Sequence, residues 1–246
     1  MTATEENKEE VQEEEVEVEV LLPNTNIVTH CVLKAAAARL AKCFDDDEDP
    51  FKENVAELIT ERGDDGKSPL DIASTLGRVE IIRELLHRGA DVNDTTEKGY
   101  CALHHAAAWG QVSVLKVLVE FSADLQQRNC HGERARETAL RYNKSECVDF
   151  LDWAEARKAL LDAIKGIQET LADPEKIQGR WVKDDKVLVT NTCKEKSDWI
   201  ENTPEATTSD FITQKLEMEE RLAATLAKLT EERPVSAKVK GAKKSK

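Results

Sequence analysis

The sequence predicts an all-α chain: a solenoid of short helical repeats, then a small helical bundle or hairpin, set between a disordered acidic N-terminus and a disordered basic C-terminus. Three observations predict this. Apolar residues make up 40% of the chain but are mainly Ala, Leu and Val, with aromatics at 4%, a palette suited to helices packed through small side chains. One block of residues recurs with an offset of 33. Charge is unevenly distributed: the formal net charge is -14, yet its sign changes from an acidic block at the N-terminal end to a basic block at the C-terminal end.

The N-terminal block has nine Glu against the single Lys8 between Met1 and Val20. Such a run repels itself and buries little, so residues 1–27 are expected to be a disordered tail. Val16 to Val20 alternate with Glu as a strand would, but no second strand is in sight to pair with them.

The repeat comes next. Gly66-Lys67-Ser68-Pro69-Leu70-Asp71-Ile72-Ala73 aligns with Gly99-Tyr100-Cys101-Ala102-Leu103-His104-His105-Ala106, and the register of 33 persists through Gly77 and Gly110, Leu85 and Leu118, Ala90 and Ala123, Asp91 and Asp124. A further step reaches Gly132, Ala139, Asn143 and Leu151. This period, with a T-P-L-H-x-A-like opening, resembles the ankyrin repeat. Local physics agrees with it. Ser68 supplies a hydroxyl cap and Pro69 a preset first turn. Gly77 and Gly110 stop the first helices where a positive φ is needed, with Asn143 in the third equivalent place. Ile81, Ile82, Leu85 and Leu86 form one stripe on a second helix, and Val114, Leu115, Leu118 and Val119 another.

One such unit cannot bury its own apolar face, so both ends need caps. Val32 to Phe44 and Phe51 to Ile59 read as a degenerate first repeat split by the acidic Asp45 to Pro50 insertion. The solenoid is therefore expected over residues 28–153, as repeats 28–62, 66–98 and 99–131 and a cap 132–153, in which Arg136 stands where Leu70 and Leu103 stand before it.

Residues 154–232 lose the period but keep helical spacing: Leu160, Ile164, Ile167 and Leu171, then Leu188, Thr192, Trp199 and Ile200, then Ile212, Leu216, Leu222, Leu226 and Leu229. Gly179 before a polar helix start, Cys193, Trp199-Ile200-Glu201-Asn202, Phe211 and Leu216-Glu217 resemble the helical lid of seventy-kilodalton heat-shock chaperones. The ATPase domain, the β-sandwich and the acidic terminal motif of those chaperones have no counterpart here. Residues 233–246 carry Arg233 and five lysines and no acid, and are expected to be a disordered tail, with nuclear import or polyanion binding as alternatives. The absence of aromatics there argues against nucleic acid as a partner.

Several chemistries fail on spacing. Gly66-Lys67-Ser68 has Glu61 where a phosphate loop needs its first glycine. Asp45, Asp47 and Asp49 open like a calcium loop, but Pro50 and Ala56 stand where it needs glycine and glutamate. Cys101, His104, His105, Cys130 and His131 lack the paired spacing of a zinc site. No catalytic motif is found, so the expectation is no enzyme, no cofactor and no metal. The six cysteines fall without regular spacing, which reads as reduced thiols in an intracellular compartment. No stretch approaches a membrane span.

The resemblance to ankyrin arrays implies a protein partner on the concave side. It places Asp64, Asp65, Lys67, Thr75 and Leu76, then Glu97, Lys98, Tyr100, Ala108 and Trp109, then Cys130, His131, Glu133, Arg141 and Tyr142 on that exposed face. Within it Leu76, Trp109 and Tyr142 stand 33 apart. Aligned exposed apolar groups of this kind read as interface anchors, the alternative being that Trp109 covers the junction between repeats or packs on the helical tail. The partner-binding set is therefore Leu76, Tyr100, Trp109, His131, Tyr142, Glu97, Lys98 and Arg141, with residues 154–232 offering a second contact or self-association. Taken whole, with Ala106-Ala107-Ala108-Trp109-Gly110 and Glu146-Cys147-Val148-Asp149-Phe150-Leu151-Asp152-Trp153-Ala154, the chain resembles a vertebrate ankyrin-repeat family with repeats and lid-like tail in this order. That resemblance implies a non-catalytic scaffold in the cytoplasm, nucleus, cilium or midbody, linked with cell division or motile cilia. The alternative is a chaperone-linked factor holding clients through the lid-like helices.

Overall fold

The computed structural model describes residues 20–230, and among them the regular structure is helical, with one isolated β-bridge between Thr95 and Cys101. The expected disordered tails lie outside the described residues except for 20–27, where the expectation fails. Leu21 packs against the solenoid core, the Leu22 N–H donates to His30 Nδ1 at 3.0 Å, and Asn26 caps the first helix.

Helices α1 (Ile27–Lys34) and α2 (Ala37–Asp45) are followed by the single turn α3 (Val55–Leu58). Three further pairs are α4 (Pro69–Leu76) with α5 (Val79–His87), α6 (Ala102–Trp109) with α7 (Val112–Glu120), and α8 (Ala135–Arg141) with α9 (Ser145–Ala172). First helices pack in one row, α1 on α4 on α6 on α8, and second helices in another, α2 on α5 on α7 on α9. Between the rows Ala73, Ala106 and Ala139 are fully enclosed, and so are Leu85, Leu115 and Leu118. Small side chains let the first helices approach closely. Each large one removed from water contributes about 1.5–3 kcal/mol.

The degenerate first repeat is arranged otherwise than expected. Val32 to Phe44 is two helices and not one, because Ala35 takes the left-handed conformation (φ 57°). Ala35 thus does the job of Gly77, and Asn26 that of Ser68, at an offset of 42. The nine extra residues lie in the loop before α4, so Phe51 to Ile59 is a turn-rich insertion and not the second helix. Asp49 in this insertion is buried, held by Arg39 at 2.6 Å and by the Phe51 N–H at 3.0 Å, whereas Asp47 is solvated.

The boundary expected between residues 153 and 154 falls inside α9, since no proline or capping residue interrupts the helix there. Beyond it, α10 (Pro174–Ile177), α11 (Lys183–Asn202) and α12 (Thr208–Thr230) fold back so that α9, α11 and α12 enclose a second core. Leu160, Ile164, Val189, Cys193, Phe211, Met218 and Leu222 fill it. Ile212 and Leu216, expected in this core, are exposed, because the buried stripe of α12 runs through Phe211, Met218, Leu222 and Thr225. Trp153 bridges the two cores: it packs against both, and its indole N–H donates to the Ala206 carbonyl at 2.9 Å.

Candidate protein-interaction surface

The first helices α4, α6 and α8 begin with the same device built from different residues. The Ser68 N–H donates to the Asp71 carboxylate at 3.0 Å, the Cys101 N–H to His104 Nδ1 at 3.3 Å, and the Arg134 N–H to Glu137 at 2.9 Å. All three acceptors occupy the third helical position, where a side chain can reach back to an orphan donor. For His104 this settles the tautomer. Nδ1 must accept from an amide, so Nε2 carries the proton and donates to the Glu133 carbonyl at 3.0 Å. Burial pushes His104 below the usual histidine range, and His105 with it. Cys101 lies 3.0 Å from His104 Nδ1, and burial pushes its thiol up. Both side chains are therefore spent inside the repeat. Among the described residues no group of three or more His, Cys, Asp or Glu is placed to hold a metal ion. Glu137 is held down to about 2, chiefly by its hydrogen bond from Arg134.

Each first helix also ends alike. Gly77 and Gly110 adopt φ of 73° and 78°, and Asn143 follows at 55°. A Cβ on Gly77 would meet the Gln111 side chain at 2.6 Å, and Gln111 Nε2 donates to the Thr75 carbonyl at 3.3 Å, so the space a side chain would need holds a clasp between repeats. The residue before each turn faces out: Leu76 is 40% exposed, Trp109 62% and Tyr142 52%. Trp109 therefore does not fill the junction between repeats. The three occupy equivalent places at the C-terminal ends of consecutive packed helices, Leu76 and Trp109 as the last residues of α4 and α6 and Tyr142 directly after α8.

Tyr142 is stiffened from one side by Arg141, whose guanidinium lies over its ring at 5.0 Å. Arg141 also pairs with Glu133 at 3.3 Å, and a hydrogen bond with Tyr100 raises it above its ordinary value. Tyr100 is half-buried, its ring 5.7 Å from that of His104 and 6.0 Å from that of His105. The structure thus brings Tyr100, Arg141 and Tyr142 into one connected group. Glu97, Lys98 and His131 are exposed at the loop tips, where the Cys130 N–H donates to the Lys98 carbonyl at 2.8 Å and ties two tips together.

Two contributors escaped sequence reasoning. Arg62 joins tips by donating to the Gly66 carbonyl (2.8 Å), Asp94 (2.7 Å) and the Thr95 carbonyl (2.9 Å). Its signal was present: Arg128, two periods on, donates in the same way to the carbonyl four residues ahead, Gly132. Leu140 is 59% exposed although the equivalent Ala107 and Ser74 are buried. It lies on the last first-row helix, where no further repeat covers it among the described residues.

The family model described as ankyrin repeats (many copies) matches residues 70–119. The chain is similar to proteins named ankyrin repeat domain-containing protein 45 in three organisms. It is 46% identical to that of Danio rerio over 145 residues, 59% of this chain and 65% of the relative, just under two thirds of that protein. Against that of Homo sapiens it is 34% identical over 191 residues (78% of this chain, 72% of the relative), and against that of Mus musculus 37% over 198 (80% of each).

Proposed function

This chain belongs to the ankyrin repeat domain-containing protein 45 family, and from that premise we propose that it is a non-catalytic adaptor whose first-helix row and loop tips form the concave face that grips a protein partner. Ankyrin repeats bind protein partners. The observation that carries the choice of surface is the exposed column Leu76, Trp109 and Tyr142 on consecutive helices, beside the charged group Glu97, Lys98, His131 and Arg141. An aromatic anchor ringed by polar groups is how interfaces concentrate their affinity. A link with cell division or motile cilia, and residence in the cytoplasm with the nucleus, cilium or midbody as further sites, form part of the proposal through family membership. Proximity labelling in a ciliated, dividing cell tests it. The full chain labels a reproducible set of neighbours that the Leu76→Ser/Trp109→Ala/Tyr142→Ala variant loses at equal abundance. An unchanged set contradicts the assignment of this face.

Exposed Ile212 and Leu216, one turn apart on α12, favour a second contact through residues 154–232. It is self-association, or, in the chaperone-linked reading, the holding of clients. Ile212→Glu/Leu216→Glu in the full chain separates these. The adaptor reading expects loss of a dimer or of one partner, while the chaperone-linked reading expects loss of heat-shock components.

A further inference from the structure

Away from the exposed column, on the second-helix row, a groove of about 590 Å³ opens between α7, the loop that follows it and the middle of α9. Helix α9 outruns its neighbour: α7 stops at Glu120, while α9 continues far past the solenoid. Phe150, Trp153, Arg157 and Leu161 fall at i, i+3, i+7 and i+11, one face of α9 about 16 Å long. Val119 and Leu125 complete an apolar floor, with Phe150 and Trp153 stacked at 5.7 Å.

The rim is basic. Lys116 stands on the α7 side, Arg157 and Lys158 on the α9 side, and none of the three has an ion pair or a side-chain hydrogen bond among the described residues. Glu120, the one acid at the rim among the described residues, is already paired with Arg83 at 2.8 Å. In a chain of net charge -14, three unpaired cations around an apolar floor form a local field opposite to that of the whole molecule. We propose that this groove docks an acidic amphipathic helix of a partner protein. Its apolar residues at i, i+3 or i+4, and i+7 would lie on the stripe of α9, and its carboxylates would meet Lys116, Arg157 and Lys158. The stripe matches about three turns of such a helix, packed against α7 and α9 at the ordinary interhelical spacing. The surface is separate from the column at Trp109, so either can fail without the other.

The test uses the full chain and a fluorescein-labelled fourteen-residue peptide with Leu on one helical face and Glu on the other, read by anisotropy at low and high salt. A counterpart with Lys for every Glu is the control. The expected result is saturable binding of the acidic peptide, weakened by salt, with the basic counterpart silent. Arg157→Glu/Lys158→Glu should weaken it about tenfold or more with an unchanged helical circular dichroism spectrum, while Trp109→Ala leaves it intact. The proposal is overturned if the acidic peptide fails to bind, or if the double variant binds it equally. It is also overturned if binding appears only when residues 1–19 are removed, which would make the chain's own acidic segment the occupant, or if the peptide acts by dissociating a dimer, which would make it a second copy.

Discussion

Residues 27–153 and residues 154–230 are both helical, yet they are held together in different ways. The solenoid repeats one modest device many times: a side chain closing the start of each first helix, a left-handed turn closing its end, and Ala73, Ala106 or Ala139 in the gap. The helical module relies on a few singular contacts. Phe211 sits edge-on to Trp153 at 5.8 Å and to Trp199 at 5.4 Å, and the Trp181 indole N–H donates to the Thr225 carbonyl at 2.9 Å. Buried Lys196 reaches Gln214 at 2.6 Å and Glu217 at 2.9 Å, while Lys228 reaches Asp185 at 2.7 Å. Distributed contacts tolerate degradation, which is how Ala35, Cys101 and Arg136 fit a pattern none of them suits by type. Singular contacts do not.

The largest expected effect follows from that contrast. Phe211→Ala should remove about 3–5 kcal/mol from the module, opening α11 and α12 in hydrogen exchange while α4 to α7 stay protected. Uniform loss of protection would break the distinction. Trp153→Ala, at the shared ring, should cost about 2–3 kcal/mol and split one melting transition into two. A single transition, merely lowered, would mean the cores are coupled through α9 alone.

Acid should separate the regions as well. Burial lowers His104 and His105 in the folded state, so the unfolded chain takes up their protons first. Their contribution is complete above about pH 6.5 and declines as pH falls below that value. Glu137, held at about 2, adds a further loss from about pH 4.5 downward. The solenoid's exchange protection should therefore fall between pH 7 and 5, and His104→Gln/His105→Gln should flatten the curve in that window. Smaller still is Ser68→Ala, about 1 kcal/mol from one lost cap, read as a shift in the denaturant midpoint.

Legibility in the sequence follows the same division. The two central repeats could be read to the residue because the period ties Gly77 to Gly110 and Leu85 to Leu118, and Asn143 met the left-handed position expected of it. The first repeat was misread because alanine, not glycine, makes its turn and nine extra residues throw off the register. In the module, helix existence was legible but facing was not. Ile212 and Leu216 have the right spacing, yet the aromatic contacts of Phe211 rotate α12 so that they face water. The exposed column was legible as a column, whereas the ties among Tyr100, Arg141 and Glu133 span residues whose proximity only the stacked repeats create.

Trp109→Ala measures the central claim most directly, with thermal unfolding and affinity for a captured partner determined side by side on the full chain. A side chain 62% exposed and outside both cores should change stability by no more than about 0.5 kcal/mol while partner affinity falls about tenfold or more. Retained affinity, or a melting temperature lowered as far as a buried leucine truncation lowers it, would contradict the account.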